Sequence, residues 1–147
     1  MIREATLGDI PRLQEIRVAV RENVLSNPGR VTLADYEAHI VGHGRSWVAE
    51  VDGEIAGFTS ADGECMTIWA LFVDPVHEAR GHGGRLLAVA VAWLWSRGAT
   101  QVALSTEAGT RAEGFYRAAG WTSIGTIGRE LAFVRSRPPD GYEARRR

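Results

Sequence analysis

The chain has 147 residues, 45% of them hydrophobic and 24% charged, with a formal net charge of −1. That length fits one domain and that composition an ordinary soluble globular protein. Charge this close to zero gives no footing to nucleic acid or an anionic membrane as a partner.

The single cysteine, Cys65, excludes an intrachain disulfide and a cysteine-based metal site, and its apolar surroundings predict a buried, inert thiol. Charges between Met1 and Asp9 argue against a signal peptide. The most apolar stretch, Leu86 to Trp95, falls short of the roughly 20 residues that a membrane helix needs. A soluble, cytoplasmic protein is expected. Arg135, Arg137 and Arg145 to Arg147 are the only basic cluster, and Pro138, Pro139, Asp140 and Gly141 lie among them. This end reads as a flexible tail, 136–147, behind a single domain over 1–135.

In chain order, Ile2 to Ala5 reads as a short strand. Thr6 is placed to cap a helix with Pro11 in its first turn and apolar Ile10, Leu13, Ile16, Val20 and Val24 at helical spacing. Ser26-Asn27-Pro28-Gly29 breaks it, and Thr32 caps a second helix carrying Leu33, Tyr36 and Ile40. The period then shortens. Ser46 to Val51 and Glu54 to Ala61 alternate as strands around Asp52-Gly53, a strong hairpin signal. Asp62-Gly63 turns the chain into Cys65 to Val73, an apolar run expected to be a buried central strand.

A glycine-rich loop, Glu78 to Gly84, opens a helix through about Arg97 with an inner stripe of Leu87, Ala90, Val91 and Leu94 and a stop at Gly98. Gln101 to Thr106 is a further strand. Thr110-Arg111-Ala112-Glu113 reads as a capping box opening a short helix that ends at Gly120. Trp121 to Ile127 and Glu130 to Val134 close the chain as a hairpin. The order β-α-α-β-β-β-α-β-α-β-β predicts an α+β fold with a mixed, mainly antiparallel sheet. Only the two strands flanking the long helix should run parallel.

The chemistry concentrates in the loop. A strand, a glycine-rich turn and a helix N-terminus together present unpaired N–H groups and partial positive charge to an anion, and glycine lets the backbone approach it closely. Arg80 and Arg85 are placed to add charge at the rim. A P-loop would need Gly-Lys-Ser/Thr, which Gly84-Arg85-Leu86 does not supply, and Leu86 stands where a dinucleotide fingerprint needs its third glycine. Glu107 falls where a ribose-binding acid would, so a nucleotide-binding domain stays open as a weaker reading.

Asp74-Pro75 followed by Arg80-Gly81-His82-Gly83 resembles the acetyl-CoA signature of the GNAT superfamily of N-acetyltransferases, Gln/Arg-x-x-Gly-x-Gly/Ala. The glycines fall on Gly81 and Gly83, and Glu78 stands at the Gln/Arg position, with Ala79 and Arg80 between. The stretch Thr110 to Trp121 is similar to the family's Asn-x-x-Ala-x-x-x-Tyr-x-x-x-Gly-Phe, matching at Ala112, Tyr116 and Gly120, with Gly109 for Asn and Trp121 for Phe. The resemblance implies transfer of an acetyl group from acetyl-CoA to an amine by direct attack on the thioester.

By the same resemblance, backbone groups of Leu71, Phe72 and Val73 hold pantetheine, and the loop from Glu78 to Arg85, His82 and Gly84 included, holds the diphosphate. Thr106, Thr110 and Arg111 join the cofactor set, and Tyr116 protonates the departing thiolate. Glu64 is the nearest carboxylate to serve as base, with a water relay as its rival. Trp69 is the tryptophan expected to line an acceptor pocket, the other four being read as core. Glu22 and Asp35 read as solvated helix charges. The histidines His39, His43, His77 and His82 are read as non-ligating, and no metal is expected. The acceptor, a small-molecule or peptide amine, is not specified, and a homodimer stays open. A non-catalytic acyl-CoA-binding or dimerisation module on the same fold is the alternative.

Overall fold

The computed structural model describes residues 1–20 and 31–138. The expected positions of Glu22, Val24 and the break at Ser26 to Gly29 lie outside the described residues, as does 139–147.

Seven strands form one sheet: β1 (Ile2–Glu4), β2 (Gly44–Val51), β3 (Glu54–Asp62), β4 (Thr67–Val73), β5 (Gln101–Glu107), β6 (Thr122–Ile127) and β7 (Glu130–Ser136). Among the described residues four α-helices flank it: α1 (Ile10–Val20), α2 (Leu33–Val41), α3 (His82–Ser96) and α4 (Arg111–Ala118). The sheet order is β1-β2-β3-β4-β5-β7-β6. All neighbours are antiparallel except β4 and β5, which are parallel, as a helical crossover through α3 requires.

Local chemistry explains most boundaries. Thr32 accepts from the Asp35 N–H, and the Asp35 carboxylate accepts from the Thr32 N–H, so Asp35 is a capping residue rather than a free surface charge. Asp52 and Gly53 both take positive φ, 52° and 79°, which suits a tight hairpin between β2 and β3. Thr6 opens a 3₁₀ turn, Leu7–Asp9, and its own N–H donates to Asp9, so α1 begins only at Ile10. The expected capping box at α4 is displaced by one residue. Thr110 accepts from Glu113 N–H, but the Glu113 carboxylate accepts from Gly109 N–H.

Alternation along the strands sorts side chains into two cores. Ile10, Leu13, Ile16 and Tyr36 pack with Val48, Ile55 and Phe58 on the α1/α2 face. Trp47, Ala49, Ala61 and Ile68 pack with the α3 stripe Leu86, Leu87, Ala90, Val91 and Leu94, together with Tyr116, Trp121 and Phe133, on the other. Burying each such large side chain stabilises by roughly 1.5–3 kcal/mol. No helix among the described residues is long and apolar enough to cross a membrane.

Several expectations change. Cys65 is exposed, because β4 starts only at Thr67 and Cys65 lies in the preceding turn, where its N–H donates to Asp62. The fully buried strand is β3, while β4 is half-buried along much of its length. On α2, Tyr36 and His39 are the buried residues and Leu33 is 56% exposed, so the inner stripe contains a histidine. Trp47 and Trp121 are core, whereas Trp69, Trp93 and Trp95 are only partly buried. β7 reaches Ser136, and Arg137 donates from its N–H to Thr100 O and from its side chain to Trp95 O.

Gly57 faces Val73 across β3 and β4, and a Cβ there would stand 2.8 Å from Phe72 O and 3.2 Å from Val73 Cα. Gly57→Ala should therefore force the two backbones apart and cost about 1–3 kcal/mol, as overpacking does. Chemical denaturation compared with the parent chain measures it.

Candidate active site

The parallel pair is the weak seam of the sheet. β4 and β5 register only at Thr67 and Ala103, beside a bond from Ala103 N–H to Met66 O. Beyond that point β4 bends away. Its register with β3 skips one residue, from Ala70 opposite Ser60 to Ile68 opposite Ala61, which makes Trp69 the bulged residue. The side chains record it: Ile68 packs on the α3 face, Trp69 and Ala70 both pack on the α1/α2 face, and Leu71 returns to the α3 face. The divergence opens a cleft of about 770 Å³ whose walls include Leu71, Phe72, Thr106, Thr110 and Tyr116. Leu71 and Phe72 border this space on the part of β4 beyond its one register pair with β5.

The loop after β4 is rooted by Asp74. Its Oδ1 accepts from Val76 N–H at 3.0 Å, and its Oδ2 accepts from Arg12 Nη2 at 2.8 Å. Arg12 also donates to Ile55 O, so α1, β3 and the loop meet at one guanidinium. Burial pushes the Asp74 carboxyl up, but the Val76 N–H and Arg12 outweigh it and hold it below the usual carboxylate value.

Ala79 (φ 63°) and Gly81 (φ 83°) then turn the chain into α3. A Cβ on Gly81 would meet Arg85 Nη1 at 2.8 Å. The first helical bond runs from Arg85 N–H to Gly81 O, so the N–H groups of His82, Gly83 and Gly84 precede it at the positive end of the helix dipole. Arg85 curls over this end, donating to Arg80 O and reaching His82 Nδ1 at 3.1 Å. Burial, and then the charge of Arg85, lowers the His82 pKa. Gly83 brings the helix start against Val73 and Phe115, each 3.7 Å from where its Cβ would be.

Glu78, the acid in a basic position, is solvent-exposed and pairs with a side chain from α4 rather than with the loop backbone. Its Oε2 accepts from Arg111 Nη1 at 2.6 Å, and both residues line the cleft, one from each side. Thr110 Oγ1 donates to Glu107 O as well as capping α4. Tyr116 is 6% exposed, and burial alone holds its hydroxyl well above the usual tyrosine pKa.

Trp69 forms part of the opposite wall, with Arg17 5.0 Å over its ring and Tyr36 edge-on at 5.7 Å. Glu64 is not in this cleft. It is 74% exposed in the turn before β4, 3.7 Å from His43. His39 and His43, expected to be non-ligating, stand four residues apart, and the fold brings Asp62 to them. The spacing itself was the available signal.

Residues 10–121, more than half of the chain, match the model of the acetyltransferase (GNAT) family. The chain belongs to the GNAT family. Its fold is that of solved GNAT structures. The PaiA N-acetyltransferase from Thermoplasma acidophilum, crystallised in complex with coenzyme A, superposes with a TM-score of 0.81 at 17% identity, over 93% of this chain and 98% of that one. A ribosomal-protein-alanine N-acetyltransferase from Brucella melitensis gives 0.74 at 22% identity, over 93% and 99%. YncA, a putative acetyltransferase from Salmonella typhimurium with its cofactor acetyl-CoA, gives 0.74 at 20% identity, over 95% and 94%. No curated protein matches the sequence. Identities this low establish the GNAT fold and leave the acceptor of this member open.

The loop root gives a pH test. Because the folded Asp74 carboxyl titrates below its unfolded value of about 3.9, its stabilisation is complete above that pH and is lost as pH falls through the lower folded value. Asp74→Asn should cost roughly 1–2 kcal/mol at pH 7 and progressively less as pH falls below the unfolded value of about 3.9. Thermal melts across that range check both the cost and its disappearance.

Proposed function

We propose that this GNAT member transfers an acetyl group from acetyl-CoA to an amine by direct attack on the thioester. The observation that carries the reading is continuity. The gap between β4 and β5 runs from Glu78, in the loop that opens α3, to the buried Tyr116.

In this reading the diphosphate lies against the loop Glu78–Arg85, held by the N–H groups of His82, Gly83 and Gly84, with Arg80 and Arg85 supplying charge. Pantetheine, a chain of amides, runs along the backbone of Leu71, Phe72 and Val73 on the side of β4 that diverges from β5. Thr106, Thr110 and Arg111 border its other side, and the Glu78–Arg111 pair keeps the one acid in the loop from opposing the phosphates. A backbone N–H of β4 polarises the thioester carbonyl, which is the largest expected catalytic contribution.

The amine nitrogen forms a bond to the carbonyl carbon and the carbon–sulfur bond breaks. The leaving thiolate takes the Tyr116 proton, the new amide loses one to water, and the tyrosinate is reprotonated from solvent. Burial raises the proton affinity of thiol and phenol alike, so donor and acceptor shift in the same direction. Glu64 lies away from the cleft, which favours water over a side-chain base for the amine proton. The acceptor, a small-molecule or peptide amine, enters from the wall formed by α1, α2 and Trp69.

Acetyl-CoA turnover with a panel of amines, followed by thiol release, tests this. Tyr116→Phe should lower kcat by roughly 10²–10⁴ with the KM for acetyl-CoA little changed, since the ring still packs. Gly81→Val should instead abolish coenzyme A binding. Coenzyme A binding without thiol release for any amine would leave an acyl-CoA-binding module in place of an enzyme.

A further inference from the structure

Away from the cleft, the end of α2 and the end of β3 converge on a cluster that acetyl transfer does not use. His39 lies in the last turn of α2, and His43, four residues on, follows its C-cap Gly42. Asp62 Oδ2 is 3.8 Å from His39 Nε2 and 3.5 Å from His43 Nε2, and one ligand atom from each residue falls within 4.8 Å of the other two. A tetrahedral ion with bonds of about 2.0–2.1 Å spaces its ligands by roughly 3.3–3.4 Å. The three atoms need close by roughly 0.1 to 1.5 Å to meet that spacing.

Each residue is also oriented from outside. His39 Nδ1 lies 2.8 Å from Asp35 O. A carbonyl only accepts, so Nδ1 carries the proton and Nε2 presents its lone pair. Asp62 Oδ1 accepts from the N–H groups of Glu64 and Cys65, at 2.9 and 3.0 Å, which leaves Oδ2 toward the histidines. His43 Nδ1 has the Glu64 carboxylate at 3.7 Å, behind the ring.

The independent pointer is His39 Nε2. The residue is only 6% exposed, and this atom is buried with no hydrogen-bond partner. The ring cannot swing to find one, because it is stacked on Trp69 at 4.1 Å and 8°. An ion pair between His43 and Asp62 alone would leave that lone pair unsatisfied, at a cost.

We propose that His39 Nε2, His43 Nε2 and Asp62 Oδ2 bind one divalent transition-metal ion of the zinc type. Two imidazoles and one carboxylate favour such an ion over magnesium or calcium, which prefer oxygen alone. His43 is partly exposed, so the fourth position opens to water. The bound ion ties the end of α2 to the turn between β3 and β4. It also fixes the ring beneath Trp69, and so stiffens one wall of the cleft.

The test uses the full-length, untagged protein after chelator treatment, titrated with ZnCl₂ by calorimetry and melted with and without the ion. One equivalent should bind, and the Tm should rise with free zinc. His43→Ala, at a partly exposed position, should stay folded and lose roughly tenfold or more in affinity. Cys65→Ser should bind as the parent does, and Co²⁺ should give tetrahedral ligand-field bands without a thiolate charge-transfer band. Failure to bind one equivalent, parental affinity in His43→Ala, or dependence on Cys65 would each overturn the site. None of these readouts involves acetyl-CoA, so the outcome is independent of the acetyl-transfer reading.

Discussion

One broken seam organises the molecule. A parallel neighbour could pair with β4 along its length, yet the two strands register only at Thr67 and Ala103. The lost ladder bonds would normally be costly inside a sheet. The fold tolerates them because each side of the seam is secured elsewhere. β3 pairs with β4 from Gly57 to Asp62, and β7 pairs with β5 along all seven residues of that strand. The sheet is thus two stitched halves that share a hinge of one residue pair. The side of β4 that leaves β5 then borders the cleft, where Leu71 and Phe72 form part of its wall.

The same geometry explains what was legible in the sequence. Hairpin residues Asp52-Gly53, the Thr32 cap, the Gly98 stop and the glycine loop all act within a few residues of themselves, so their patterns survive without tertiary context. Element order followed from those signals. The apolar run ending at Val73 was recognisable as a strand, but its burial was misjudged, because half-burial arises from the divergence of a partner some thirty residues away. Cys65 was drawn into the strand by its apolar neighbours, whereas Asp62 holds the turn that excludes it.

Pairings across the chain were least legible. Nothing near Glu78 announces Arg111, 33 residues on, yet that contact turns a misplaced acid into a neutral bridge at the cleft mouth. Nothing near Asp74 announces Arg12, 62 residues before it. Both contacts show why a motif position can depart from its usual residue type: the requirement is on local charge, and a distant side chain can meet it. Tyr116 sits between these cases. Its spacing marked it, but its burial against Trp121 and Phe133 depends on the closing hairpin pairing alongside β5 through β7.

Trp69 connects the separate parts. As the bulged residue it lets β4 leave β5, and the bulge turns its side chain to the same face as Ala70. There it meets Arg17 and Tyr36 at the cleft and stacks on His39 behind it. A strand with regular alternation would have sent this indole to the α3 core and left His39 without its stacking partner. The irregularity that opens the cleft therefore also builds its wall and holds the imidazole behind that wall in place. A change in how firmly His39 is held has a direct mechanical route to the cleft, through one aromatic stack and no further intermediary.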